Sequence, residues 1–156
     1  MKTLILYATK YGAAYEAAQR IAKHITGSVL HNLKQSGVTS LAGYDCVIIG
    51  SSVYVGSIRK EAKAFLSQNT NALKGKKVGL FLCGLQEAEE KAFFKNNFPD
   101  EILQTAKAVS FLGGIFDPAK SGILERFIMK AVAKQSGYID TIDDGKIAQF
   151  SEELKK

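Results

Sequence analysis

Short, unbroken apolar runs alternate with segments of helical periodicity along most of the chain. Buried strands are predicted at residues 2–7, 45–50, 77–83 and 108–112, and a short edge strand at 28–33. Helices are predicted over 15–25, 58–68, 86–96, 120–134 and 146–155. Strands that are apolar on both faces need cover on both faces. This order therefore predicts an α/β fold, with a parallel sheet between two helical layers, in one domain of residues 1–156.

Four loops follow the carboxyl ends of the predicted strands, at residues 8–14, 51–57, 84–88 and 113–118. Parallel strands that are joined by right-handed crossovers all end at the same edge of the sheet. Ligands of such sheets bind at that edge, near the point where the strand order reverses. We therefore expect the four loops to form one binding site.

The first loop, ATKYGAA, joins a strand to a helix N-terminus and contains Thr9, Lys10 and Gly12. Unpaired amides at a helix N-terminus can hold a phosphate, and a glycine lets the backbone approach it closely. An ordinary turn capped by Thr9 remains the alternative. The chain contains no GxxxxGK[ST] and no GxGxxG after the first strand, which argues against nucleotide triphosphatases and dinucleotide enzymes. A small phosphate ligand without a metal is what these patterns favour.

The stretches LILYATKYGAAYEAAQRIA, IIGSSVYVGS and FLCGL resemble the three flavin loops of the flavodoxin superfamily. The resemblance implies a flavodoxin-like three-layer sandwich with a five-stranded parallel sheet of order 2-1-3-4-5 and non-covalently bound FMN. In this reading the phosphate is wrapped by Thr9, Lys10, Tyr11, Gly12, Ala13 and Ala14, where Ala14 replaces a second hydroxyl. The isoalloxazine is lined on one side by Ser51, Ser52, Val53, Tyr54 and Gly56, and at its pyrimidine edge by Cys83, Gly84 and Leu85.

Two residues of the second loop have more specific expectations. Tyr54 is the best candidate for stacking on the flavin, although a surface tyrosine is the alternative. Gly56 would allow a peptide to reorient beside the reactive ring nitrogen, although it could equally be a plain turn glycine.

The last third of the chain resembles menaquinone-dependent protoporphyrinogen dehydrogenases of the same superfamily. The match consists of Arg126-Phe127-Ile128-Met129-Lys130, Gly137 and the pair Asp140-Thr141. This resemblance implies an oxidoreductase that oxidises protoporphyrinogen and passes electrons to a quinone. A small electron-shuttle flavodoxin and a flavin-free binding module remain alternatives.

The formal net charge is +6, and its surplus is spread along the chain without a basic tail. Lys10, Arg59 and Lys60 flank the predicted site, which predicts a less negative final reduction potential than an acidic shuttle has.

The expected partner is a redox protein, a quinone or a small molecule, and no nucleic-acid partner is expected. Residues 120–134 would form an amphipathic helix that packs on the sheet or contacts an anionic membrane surface, so we expect a cytoplasmic protein that is peripheral at most.

Cys46 and Cys83 lie inside apolar runs and are expected to be buried and reduced. His24 and His31 are far apart in sequence, and no cluster of His, Cys or carboxylates predicts a metal site. No side chain is therefore assigned to acid–base catalysis, and the flavin would supply the redox chemistry.

Overall fold

The computed structural model of the chain describes residues 1–36, 40–120, 122 and 137–156. Its strands are β1 Thr3–Ala8, β2 Val29–Asn32, β3 Cys46–Tyr54, β4 Ser57–Ile58, β5 Lys77–Cys83, β6 Ala108–Phe111, β7 Ile115–Phe116 and β8 Ile139–Asp140. Its α-helices are α1 Ala13–His24, α2 Lys60–Leu73, α3 Glu90–Asn97, α4 Asp100–Thr105 and α5 Asp144–Lys155, and a 3-10 turn at Glu87–Glu89 precedes α3. Apart from Lys120 and Gly122, the helix predicted over 120–134 lies outside the described residues.

Five strands form a parallel sheet in the order β2-β1-β3-β5-β6. The short β4 pairs antiparallel with the end of β3 and lies off this path. If only the five parallel strands are numbered, the order is 2-1-3-4-5, so the predicted topology is confirmed. β7 and β8 form a separate antiparallel pair.

Two apolar cores lie on opposite faces of the sheet. One contains side chains of α1 and α5, among them Ala14, Ile21 and Phe150, packed against Ile5 and Ile48. The other lies beneath α2, α3 and α4, and contains Phe65, Phe94 and Ile102 against alternate residues of the same strands. This is the three-layer arrangement that continuous apolar strands require. Within the described residues, no helix has the length and apolarity needed to cross a bilayer.

The predicted boundaries were wrong mainly around the second loop. β3 continues through Tyr54 and turns back into β4, so Ser51–Tyr54 is strand and Ile58 belongs to β4, not to the following helix. Helix α2 begins only at Lys60 because the Ile58 and Arg59 amides are bonded to the Asn97 and Ser51 side chains. The short helix α4, which follows Pro99, was not predicted.

Candidate functional site

The register of the sheet places the ends of the central strands side by side. Ala8 of β1 is opposite Ser51 of β3, and Ser52 is opposite Cys83 of β5. One strand further, Leu82 is opposite Phe111 of β6. The loops that follow β1, β3, β5 and β6 therefore start at one edge of the sheet, as the sequence predicted.

The first loop closes on itself and leads directly into α1. The Gly12 amide donates to Thr9 Oγ1 at 2.9 Å, and Gly12 has a φ of 102° as the residue that precedes the helix. Such a left-handed conformation favours glycine. No side chain caps α1. Because the first amides of a helix have no intrahelical acceptor, this turn can offer N–H donors and the positive end of the helix dipole to an anion.

Ala13 and Ala14 lie at the start of α1 with their side chains buried in the core. Their contribution to a site at this edge is therefore made by the backbone. The resemblance expects a hydroxyl-bearing residue at position 14. Its hydroxyl would be attached to a Cβ that is fully buried here. With alanines at positions 13 and 14, the start of α1 can offer an anion only backbone amides, and Lys10 is exposed in the same loop.

The second loop is a β-hairpin with a two-residue turn. Val53 pairs with Ile58 and Tyr54 with Ser57, so Val55 and Gly56 form the tip. Both have positive φ angles, 49° and 74°, as type I′ hairpin turns require. A β-branched residue in this conformation is a strained outlier, and Val55 is also 80% exposed. The conformation of the turn is therefore not the one that the backbone of Val55 prefers, and contacts with other residues must maintain it.

The first and second loops meet through Lys10. Its ammonium nitrogen lies 3.9 Å from the centroid of the Tyr54 ring and 5.1 Å from that of Tyr11. Both distances are within the range of cation–π attraction. Lys10 thus links the predicted phosphate loop to Tyr54, the predicted stacking residue, and places a positive charge beside the Tyr54 ring.

Two buried polar atoms, one in the second loop and one just after the hairpin, lack a partner among the described residues. Ser51 Oγ is satisfied, since it donates to the Ser52 carbonyl and accepts from the Arg59 amide. Ser52 Oγ and Arg59 Nε are both buried without a hydrogen bond. Buried polar atoms normally have partners. The Ser52 hydroxyl at the end of β3 is therefore a group that a polar ligand could satisfy.

The third loop is bonded to the chain that leaves β6. The Gly84 amide donates to the Gly113 carbonyl at 3.0 Å. The backbones of Gly84 and Gly114 are so close that a Cβ placed on Gly114 would lie 2.7 Å from the Gly84 carbonyl oxygen. Leu85 is partly exposed, whereas the Cys83 side chain is buried. A contribution of Cys83 to ligand binding would therefore come from its backbone.

Both thiols are free and buried, as predicted. Burial raises the pKa of Cys46 to about 11 and raises that of Cys83 still further. The thiolate is the reactive form, so we expect neither cysteine of the native protein to react with Ellman's reagent at pH 8 within minutes. Denaturant should release two equivalents per chain. Rapid reaction of one thiol in the native protein would contradict the burial of both.

A cavity of about 460 Å³ lies along the outer edge of β6. Its apolar lining includes Phe94, Leu103 and Val109, and none of the predicted site residues borders it. The candidate site is instead the edge of the sheet at which the loops start. No group of His, Cys, Asp or Glu among the described residues could hold a metal ion there.

Sequence reasoning missed Asn97, the last residue of α3, which is hydrogen-bonded to the second loop. It stands in a polar helical stretch 41 residues after Gly56, where an asparagine has no distinguishing pattern. The strain at Val55 was also missed, although the pair Val55-Gly56 between apolar residues is a weak hairpin signal.

The flavodoxin domain model matches the sequence over residues 4–142. No curated protein matches it. Among solved structures, a short-chain flavodoxin associated with a non-canonical PDU bacterial microcompartment is 17% identical, with a TM-score of 0.66 over 99% of this chain and 97% of that one. Oxidised flavodoxin 2 from Bacillus cereus is 22% identical, with a TM-score of 0.63 over 99% and 98%. A Fusobacterium nucleatum flavodoxin bound to flavin mononucleotide is 17% identical, with a TM-score of 0.60 over 99% and 96%.

Proposed function

Because the chain belongs to the flavodoxin domain family, we propose that it binds FMN without a covalent bond and serves as an electron-transfer flavoprotein. The observation that carries the proposal is the uncapped first turn of α1, opened by Gly12 and joined through Lys10 to Tyr54. The structural neighbour that is bound to flavin mononucleotide adds support.

The residues present fit a flavin phosphate and ring system. The backbone of residues 9–14 would hold the phosphate, since it offers amides at a helix N-terminus and needs no metal. The hairpin of residues 51–56 and the backbone of residues 83–85 would hold the ring, and the unpartnered Ser52 hydroxyl could bond to one of its polar atoms. When bound, FMN supplies reversible electron uptake, while the protein orients it and excludes water.

Charge around the site has both signs. Lys10 and Lys60 are exposed and Arg59 precedes α2, whereas Glu87 and Glu89 lie in the 3-10 turn after the third loop. Lys146 forms an ion pair with Glu87 and removes part of that negative charge. We propose that Lys10, which contacts Tyr54, together with Arg59 and Lys60 favours the reduced, anionic cofactor and gives a less negative final potential than that of an acidic shuttle.

Reconstitution with FMN tests the proposal. The protein, freed of any cofactor and titrated with FMN, should bind one equivalent, quench the flavin fluorescence and show an absorbance band near ~450 nm after desalting. Riboflavin, which lacks the phosphate, is the matched ligand and should bind at least tenfold more weakly. A chain that remains colourless and gives no heat of association with FMN would leave only a flavin-free binding module.

A second candidate function is oxidation of protoporphyrinogen coupled to a quinone. It is favoured by the Arg126–Lys130 stretch and the Asp140-Thr141 pair, of which the first lies outside the described residues. Thr141 is bonded to the chain that follows β6, since its amide donates to the Gly114 carbonyl at 2.8 Å. Anaerobic turnover with protoporphyrinogen and a menaquinone analogue would separate this enzyme from a carrier, because a carrier would give no porphyrin product.

A redox partner protein, a quinone or a small molecule would be the partner in either case, and nothing favours nucleic acid. A cytoplasmic location with peripheral membrane contact through residues 120–134 belongs to the second candidate. Sedimentation with anionic liposomes at low salt would test that contact.

A further inference from the structure

The Asn97 side chain makes three hydrogen bonds, of which two connect the end of α3 to the hairpin and one lies within α3. Its Oδ1 accepts from the Ile58 amide at 3.0 Å. Its Nδ2 donates to the Gly56 carbonyl at 3.0 Å and to the Phe93 carbonyl at 2.8 Å. The opposite orientation of the carboxamide would place Nδ2 against an N–H and Oδ1 against two carbonyls, so the bonding fixes this one.

These bonds add to the other contacts of the returning strand, which include the buried Ile58 side chain and the hydrogen bond from Lys63 Nζ to Ser57 Oγ at 2.5 Å. β4 consists of Ser57 and Ile58 alone, and its only sheet partner among the described strands is the end of β3. The neighbouring Val55 adopts a conformation that β-branched residues avoid. Strained backbone persists where the surrounding structure over-determines it. Asn97 contributes to this constraint, because it fixes the Gly56 carbonyl at the tip of the turn as well as the Ile58 amide in the returning strand.

We propose that Asn97 is a positioning residue for the cofactor, a role that rests on the proposed binding of FMN. It holds the turn beside Tyr54 in one conformation, so the turn presents fixed donors and acceptors to the ring. Reduction of FMN by dithionite adds two electrons and a proton at a ring nitrogen, which changes from a hydrogen-bond acceptor into a donor. A fixed turn distinguishes these two states, whereas a loose turn adapts to both. Asn97 therefore sets how differently the protein binds oxidised and reduced FMN.

The variant Asn97→Ala removes all three bonds, and Asn69→Ala is its matched control. Asn69 is also a helical asparagine that donates to the carbonyl four residues earlier, at 2.9 Å from Phe65 O, but it lies on α2. Asn97→Asp keeps the acceptor for Ile58 and loses the two donated bonds, which provides a milder variant if alanine impairs folding.

Two measurements separate positioning from mere stability. In the cofactor-free protein, hydrogen exchange at the Ile58 amide should become at least tenfold faster in Asn97→Ala and remain unchanged in Asn69→Ala. In the FMN-bound protein, the ratio of oxidised to reduced affinity should change about tenfold, which moves the two-electron midpoint potential by about 30 mV. When Val55→Gly is added, Asn97→Ala should accelerate hydrogen exchange at the Ile58 amide by a smaller factor, because glycine adopts the positive φ angle without strain.

The outcomes are distinct. FMN binding with an unchanged midpoint potential in Asn97→Ala would overturn this inference alone, even if the variant is less stable. Unchanged exchange at Ile58 would overturn it as well, since the turn would then not depend on Asn97. Absence of FMN binding by the unsubstituted protein would overturn the proposed function itself.

Discussion

Replacing Gly113 with alanine should lower the free energy of unfolding by about 2–5 kcal/mol. A Cβ at this position would lie 2.0 Å from the Thr141 carbonyl oxygen and 2.6 Å from its carbon, and backbone atoms cannot move aside as a flexible side chain can. Gly113 also has a φ of 90°, which adds the cost of a left-handed L-residue. The expected loss combines about 1–2 kcal/mol for that conformation with about 1–3 kcal/mol for overpacking.

Denaturant unfolding of the cofactor-free protein measures this effect, and two other glycines act as controls. Gly27 has a φ of 75°, and a Cβ added there would meet no atom within 4 Å, so Gly27→Ala isolates the conformational cost of about 1–2 kcal/mol. Gly43 has neither a positive φ nor a close neighbour apart from the Lys2 ammonium at 3.9 Å, and Gly43→Ala should be nearly neutral. Equal effects of Gly113→Ala and Gly27→Ala would show that the contact with Thr141 is not tight.

Gly113→Ala should also weaken the proposed site. Its carbonyl accepts from the Gly84 amide, so a shift of residue 113 is transmitted to the third loop. We expect FMN to bind less tightly to this variant than to Gly27→Ala.

Replacing Tyr54 with alanine should weaken FMN binding by about 10–100-fold. Stacking of an aromatic side chain on a heterocyclic ring contributes about 1–3 kcal/mol, and Tyr54 lies where the first two loops meet. The substitution also removes the ring that Lys10 contacts at 3.9 Å, so the cation loses its fixed place beside the cofactor. Isothermal titration or fluorescence quenching would measure the affinity.

Tyr54→Phe is the matched control because it keeps the ring and removes only the hydroxyl. It should bind FMN within about threefold of the unsubstituted protein, since a phenyl ring retains both stacking and cation–π attraction. A large loss in Tyr54→Phe would assign the contribution to the hydroxyl. Unaltered binding in Tyr54→Ala would mean that Tyr54 is a surface tyrosine of the hairpin.

The sequence was sufficient to predict the sheet and the edge at which the candidate site lies. The runs at 45–50 and 77–83 are apolar on both faces, and this pattern has few solutions other than central parallel strands. Once the strands are parallel, chain direction alone brings Thr9, Ser51 and Gly84 to the same edge. These features follow from local patterns and general topology.

The internal support of the site could not be predicted in this way. Asn97 bonds to Gly56 and Ile58 across 41 and 39 residues, and such contacts depend on where α3 ends in space. The burial of Ala14 likewise depends on how α1 lies on the sheet. The second loop was predicted at the right edge of the sheet, but its bounds were wrong and its hairpin was missed, because β4 has only two residues and one of them bonds to that distant asparagine.

Because both native thiols are buried, a reporter group can be attached selectively to a cysteine introduced on the surface. The chain has only two cysteines, and both are enclosed by the core. A cysteine introduced at Val55, whose side chain is almost fully in solvent, would be the accessible attachment point for a nitroxide or a fluorophore. Spectroscopy could then follow the tip of the hairpin as cofactor is added, without first removing the native thiols.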